Sequence, residues 1–535
     1  MKRLFAGLLA LMLLALMLLL TGCGRKIDNS AYVPTGDAIL MEGQEPEDIL
    51  PEEDTQELRL AYYPDRMLNP VLGSDYTNRV LMSLMYQGLF AVDSKKNPTP
   101  MLCSGYQVSS NRRSWTFYID ANATFSDGSK VTAQDVVATY TKAKESDYYG
   151  NRFVKHLLEV SVTADGGVLF QMDTAYGNLP LILDVPIVKA SEVDSELPLG
   201  SGPYIFTQGT GGAKLQRNPN WWCGDLKIPA IDEIIDLVEV ASPAEVRDAF
   251  QFGENTVSVV CTNPMSDSFA EYRCDYELWE IESGYMMYLG CNIGYSDFFE
   301  DGTLRTALTH AIDRETLAQE NYKGLVDAVT LPCSPEVSFY SKSLANKFTY
   351  DPLRFVSFLN GYNIPRKDGK TREMTLLVNS QDSARTRIAR SIAASLTELG
   401  LPTKTQESGG VTYKNTIVNA NYDVYLGMTR LSPNMDLTEF FRDWGEMSWG
   451  QLNVASLYDM CTMALQNEGN YYNFYQKLAE DGRIIPLMFG HYNVYAQRGL
   501  MPDLNPSRDN VFYYSLGRTM DGIEIQPDYS ETAED

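Results

Sequence analysis

Hydrophobic and polar positions divide the chain into three stretches. Residues 4–20 form an unbroken apolar run of Leu, Phe, Ala, Met and Gly, preceded by Lys2 and Arg3. Residues 24–57 carry ten acidic side chains against two basic ones, without periodicity, so a solvated linker is expected there. From about Leu58 the pattern becomes periodic. Apolar residues over 58–63 predict a strand stopped by Pro64, Leu81, Leu84, Met85 and Leu89 share one face of a helix over 80–90, and 115–119 alternate as a strand. Thr132 and Asp135 have the spacing of a capping box, in which the hydroxyl accepts from the third helical amide and the carboxylate reaches back. A strand over 286–291 follows, and Leu304, Ala307, Leu308, Ala311 and Ile312 predict a helix from about Thr303. Asp351-Pro352 can cap and open a further helix. A strand over 374–378, a helix over 383–399 ended by Gly400 and Pro402, and a strand over 423–428 together predict a crossover unit.

Composition changes this picture in two ways. At 44% hydrophobic and 11% aromatic in 535 residues, the chain can bury a large core and is expected to divide into lobes. A net charge of −26 offers no basic surface for phosphates, so no nucleic-acid partner is expected. The apolar run of 17 residues sits at the lower limit for spanning a bilayer. Its basic start and the small residues Thr21 and Gly22 before Cys23 give it a signal-peptide pattern, with a retained transmembrane helix as the competing reading.

Catalytic and metal templates are absent. Besides Cys23 there are seven cysteines, spaced 13 or more residues apart, which excludes a C-x-x-C redox or zinc pattern. Most are expected to be small buried hydrophobes, and a Cys261–Cys274 bridge stays open. The three histidines, His156, His310 and His491, form no H-E-x-x-H and leave little for nickel or haem. Gly369-Lys370-Thr371 lacks the glycine of a P-loop, since Ile364 stands there, and no G-x-S-x-G elbow occurs. Neither an enzyme nor a cofactor is expected.

Specific motifs now narrow the reading. Leu20-Thr21-Gly22-Cys23 resembles the bacterial lipobox, which implies a diacylglyceryl group on Cys23 as the mature N-terminus. Tyr86-Gln87-Gly88-Leu89-Phe90, Trp115-Thr116-Phe117 and Phe125-Ser126-Asp127-Gly128-Ser129-Lys130-Val131-Thr132-Ala133-Gln134-Asp135-Val136-Val137 resemble the family 5 solute-binding proteins. So do Gly200-Ser201-Gly202-Pro203-Tyr204, Asn218-Pro219-Asn220-Trp221-Trp222, His310-Ala311-Ile312-Asp313-Arg314 and Ile485-Pro486-Leu487. Departures at Met101-Leu102-Cys103, Arg112-Arg113-Ser114 and Trp222-Cys223-Gly224 bear on ligand class more than on fold.

The resemblance implies an α/β, two-lobed periplasmic-binding-protein-like fold of the class with an extra subdomain, its lobes joined by crossing strands. Its divisions would be a lipoprotein signal peptide over 1–22, an acidic tether over 23–57, a first lobe over 58–280 with the subdomain at about 73–190, a second α/β lobe over 281–480, and a return to the first lobe with a C-terminal tail over 481–535. The return strand is placed near 484–496. The implied protein is a monomer on the outer face of the cytoplasmic membrane, held there by its lipid. It would capture a peptide or other small solute by lobe closure and deliver it to an ABC permease served by a separate ATPase. A signalling or adhesion lipoprotein and a surface hydrolase are the competing readings, with an oligosaccharide or metal chelate as the alternative ligand.

In peptide-binding members a second-lobe carboxylate pairs with the ligand's amino terminus. Asp436, in Ser432-Pro433-Asn434-Met435-Asp436-Leu437-Thr438, matches that stretch with Leu437 replacing the proline; its competing reading is a helix cap. Trp444 and Trp449 are candidates to line the cleft, or core residues. Asn292 is a candidate hydrogen-bond donor in the cleft, and Arg430 a bidentate partner for a ligand carboxylate, or one half of a surface ion pair. Gly202 is expected in an inter-lobe loop, where valine would impair closure.

Overall fold

The computed structural model describes residues 57–525 except 154–155, 231, 253–256, 266–271 and 301. The expectations for Cys23, the leader and the tether therefore lie outside the described residues. Within them, no helix is long and apolar enough to cross a membrane.

One sheet of eleven strands runs through the molecule. In spatial order it comprises Thr403–Ser408, Met374–Asn379, Val424–Arg430, Tyr276–Cys291, Ile484–Gln497, Val259–Thr262, Arg59–Tyr62, Ile234–Glu239, Gly212–Arg217 and Tyr204–Gly209, with Val326–Ala328 also pairing to Ile484–Gln497. The two longest strands, Tyr276–Cys291 and Ile484–Gln497, are antiparallel and extend through both lobes. Each lobe packs helices on both faces of its part of the sheet. In the second lobe Leu376 and Leu377 point to opposite faces, one into a core with Ile388 and Leu426, the other into a core with Tyr425, Phe440 and Tyr471. In the first lobe Leu60 and Ile235 face one core, and Tyr63, Val260 and Tyr495 face another. A separate antiparallel sheet, Cys103–Val108, Ser114–Ile119, Val168–Met172 and Leu157–Val162, forms the extra subdomain, where Phe170 meets Tyr140 of helix Ala133–Ala143 at 4.8 Å between ring centroids. Phe512 and Tyr514 bring the C-terminal segment back onto the first-lobe core.

Local chemistry explains where elements depart from the apolar pattern. The helix predicted from Thr303 stops at Leu308 and tightens into a turn over Thr309–Ala311. Buried Arg314 takes up carbonyls that the shortened helix leaves open, donating to Thr309 O at 2.9 Å and Ile312 O at 3.3 Å, and also reaches Pro486 O of the strand Ile484–Gln497 at 2.7 Å. The strand ending at Cys291 begins ten residues before Met286, because its polar half is exposed on one side and carries no continuous apolar run. The predicted capping box forms at both halves: the Thr132 hydroxyl accepts from the Asp135 amide, and the Asp135 carboxylate accepts from the Thr132 amide at 2.8 Å and from its hydroxyl at 2.6 Å. Cys274 is a free thiol, so the Cys261–Cys274 bridge does not form.

Candidate functional site

Strand direction locates the site. In the first lobe Arg59–Tyr62 runs parallel to Ile234–Glu239 and to Val259–Thr262, and in the second Met374–Asn379 runs parallel to Thr403–Ser408 and Val424–Arg430. In open α/β sheets, ligands bind in the crevice outside the carboxyl ends of such strands. Both sets of carboxyl ends point toward the same place on the crossing strands, since Thr262 lies opposite Asn493 and Arg430 opposite Tyr285. There the pairing between the crossing strands slips between Glu282 and Met286. Gly284 sits at φ +83°, and a Cβ on it would stand 2.3 Å from the Arg508 guanidinium, so both backbone and space require glycine at this bend. A bulged, glycine-centred pair of strands is a place where lobes can hinge.

On the first-lobe side lies a cavity of about 380 Å³, lined by Tyr63, Arg66, Tyr76, Arg247, Thr262 and Tyr495 among others. Its size falls in the ordinary range for small-ligand pockets. Two helices begin at its edge. Asp75 caps Tyr76–Met85, accepting from Asn78 N at 3.1 Å, and Ser242 caps Pro243–Gln251, accepting from Glu245 N at 3.2 Å. Arg66, stacked 3.8 Å over Tyr63, is ion-paired with Asp75, so a guanidinium and a carboxylate both line this side.

None of the sequence-predicted residues lines that cavity; Arg430 lies at the crossing strands, and Asp436, Asn292, Trp444 and Trp449 lie elsewhere in the second lobe. Asp436, its side chain 14% exposed, accepts from Thr438 N at 2.8 Å and Thr438 Oγ1 at 2.7 Å, and stands 3.2 Å from His156 Nε2 in the extra subdomain. His156 also meets Thr438 Oγ1 at 2.9 Å and, through Nδ1, Asp173 at 2.8 Å; Asp173 is paired with Arg442 at 3.2 Å. Burial works against charge on both partners. It is overruled by their mutual attraction and hydrogen bonds, which hold the Asp436 carboxyl below the usual range and raise the His156 imidazole to about 10.

Arg430 is bound in the same manner. Its guanidinium donates to Asp509 at 2.7 Å, to the Tyr148 hydroxyl at 3.0 Å and to Ser283 O at 3.1 Å, and lies 3.9 Å over the Tyr148 ring. Asp509, shared with Arg152 at 2.6 Å, would be raised by burial, but those arginines hold it well below the carboxylate range. Asn292 is fully buried and ties down the turn after the crossing strand, donating to Ala420 O at 2.9 Å and Tyr422 O at 2.6 Å. Trp449 is half-buried against the core that holds Phe440 and Phe441, whereas Trp444 is 96% exposed on a left-handed backbone at φ +60°. Gly202 lies inside the first lobe, where its amide donates to Met85 O at 2.9 Å and a Cβ would stand 2.4 Å from Met85 C; the inter-lobe position expected for it is therefore corrected.

Sequence reasoning did not single out His156, Asp173, Asp509, Tyr76 or Tyr285 for this cleft. Each meets its neighbours only through tertiary pairing, with separations such as 280 residues between His156 and Asp436, and no local spacing announces that. Tyr76 joins the hinge directly, its hydroxyl 2.7 Å from that of Tyr492 and 3.2 Å from that of Tyr285.

A two-lobed sheet with a cleft at its crossing strands defines the solute-binding-protein class. Residues 97–448 match the family described as bacterial extracellular solute-binding proteins, family 5, and the chain belongs to that family. The oligopeptide-binding protein AppA of Bacillus subtilis (strain 168) is 27% identical over 369 residues, covering 64% of this chain and 66% of that relative, just under two thirds of its length. Among solved structures, the ABC transporter substrate-binding protein CtaP of Listeria monocytogenes superposes with a TM-score of 0.67 at 17% identity, over 85% of this chain and 97% of that one. The structure of AppA from Bacillus subtilis in complex with a nonapeptide gives 0.59 at 22% identity, over 86% and 99%. These structures share the fold.

Proposed function

We propose that this protein captures a peptide or a related small solute between its lobes and delivers it to the permease of an ABC importer, with ATP hydrolysed by a separate subunit. The observation that carries the reading is the convergence of both sets of strand carboxyl ends on one hinged cleft, beside a cavity of about 380 Å³. Capture needs no chemistry on the solute. An open form admits it, and differential affinity for the closed form shifts the population toward a surface that the permease reads. A relative named as an oligopeptide-binding protein and a structural neighbour holding a nonapeptide favour peptides. In this reading a lipid on Cys23 and the acidic tether over 23–57 hold the body at the outer face of the membrane.

Native mass spectrometry of the protein purified from its own host tests the ligand. Bound peptides of mixed sequence are expected; one defined sugar, a metal chelate or no ligand would overturn the peptide reading. Metabolic labelling with a fatty acid tests the anchor, with label expected on the parent and lost in Cys23→Ser.

A further inference from the structure

The charges that a solute's ends would seek in this cleft are already matched by the protein. Arg442, Asp173, His156 and Asp436 stand in a row of alternating sign, at 3.2, 2.8 and 3.2 Å between successive members. The middle two belong to the extra subdomain, beside strands Leu157–Val162 and Val168–Met172, and the outer two flank helix Thr438–Phe441 of the second lobe. Arg442 is shared with Glu439 at 3.4 Å and His156 stands between Asp173 and Asp436, so each carboxylate of the group already has a cation of the protein beside it. Both oxygens of Asp436 are in use, one by Thr438 and the other by His156. Arg430, the other predicted partner for a charged ligand, is likewise taken across the lobes by Asp509. A solute ammonium could reach Asp436 only by displacing His156, and separating a buried pair without a substitute costs far more than an exposed one.

We propose that His156 fills, as part of the protein, the position beside Asp436 that a solute's ammonium would take, so that the pair latches the lobes together and the solute's amino end is not read. This rests on the solute-capture reading above. The solutes that fit are those held by their backbone or body, with N-acylated and free-amine forms bound alike. Closure is then driven by the protein's own ion pairs, and the solute adds to it through contacts along its length.

The latch is tested without any ligand by small-angle X-ray scattering of the full protein. His156→Gln and the near-isosteric Asp436→Asn are each expected to enlarge the radius of gyration, and the double variant to enlarge it no further than either alone. Variants that scatter as the parent does, with unfolding curves confirming that they are folded, would overturn it. Calorimetry with penta-alanine and N-acetyl-penta-alanine tests the specificity. The parent is expected to bind the two within about threefold, and His156→Gln, with Asp436 uncovered, to favour the free amine by about tenfold. A parent preference of tenfold or more for the free amine, lost in Asp436→Asn, overturns the proposal. If the parent binds neither peptide, the peptide reading falls, and the scattering comparison still decides the latch.

Discussion

The two sides of the cleft are built on opposite plans. The first-lobe side is hollow, framed by tyrosines and two helix N-termini. The second-lobe side is filled, its Arg430 and Asp436 committed to Asp509 and His156 across the gap. Hollow, aromatic surface with oriented amides suits a ligand of variable shape, because it offers area and partial charge without demanding one counter-ion. Filled, ion-paired surface suits closure, because matched charges fix one geometry and reject others. In the proposed reading, reception falls to the first lobe and locking to ion pairs that span both lobes.

Removing the lock at its most buried point should cost the most. Asp509 lies at 6% side-chain exposure between Arg152 and Arg430, so Asp509→Asn leaves cationic groups unbalanced in the interior, and about 3–5 kcal/mol of stability is expected to be lost in urea unfolding. The receiving side is reached through Gly202. This residue supports the C-terminal end of helix Tyr76–Met85, whose first turn lines the cavity, so Gly202→Val is expected to overpack the lobe and cost about 1–3 kcal/mol. A thermal melt checks it, and ligand-induced compaction should survive in whatever fraction stays folded.

Much of the fold is legible in the sequence because it rests on local patterns. The crossover unit formed by Met374–Asn379, Ser383–Glu398 and Val424–Arg430 follows from apolar spacing and Gly400, and the return strand Ile484–Gln497 is expected from the family resemblance. The first half of Tyr276–Cys291 escaped notice because a half-exposed strand looks polar. The cleft was less legible. Asp436 and Arg430 attract attention through a motif and a charge, but what each one faces is set by His156 and Asp509, residues with no motif around them. Aromatic residues divided the same way, since composition cannot tell exposed Trp444 from packed Trp449.

The latch also carries a pH signature. His156 is raised to about 10 where the lobes meet, against an ordinary imidazole near 6.5, so its contribution to closure is complete below about 6.5 and lost as pH rises through about 10. Asp436 is held below the ordinary carboxylate value near 3.9, so its contribution is complete above that value and lost as pH falls through the lowered one. Closure is therefore expected to be strongest between about pH 4 and 6.5 and to weaken gradually on the alkaline side. The charged groups facing His156 are Asp173 and Asp436, with Arg442 and Glu439 behind them, and the Tyr176 ring meets its edge. Scattering measured across pH checks the prediction. The alkaline limb should vanish in His156→Gln, which separates it from His491, also raised, in its case by Asp327.

The smallest effect belongs to the cap on the receiving side. Ser242 accepts from Glu245 N at 3.2 Å while Glu245 Oε2 reaches back to accept from Ala241 N, just before the cap, at 2.9 Å, with Pro243 at the first helical position. Ser242→Ala is expected to cost about 1 kcal/mol in urea unfolding, since one orphan amide loses its acceptor. Ser242, Pro243 and Ala244 line the cavity, so the substitution separates two roles for this helix end. If it only completes the fold, solute affinity stays at the parent value once the small stability loss is allowed for. If its oriented amides help to receive the solute, fraying the first turn should also weaken binding by a few fold, with no change in the pH profile of closure, because nothing in the latch touches Ser242.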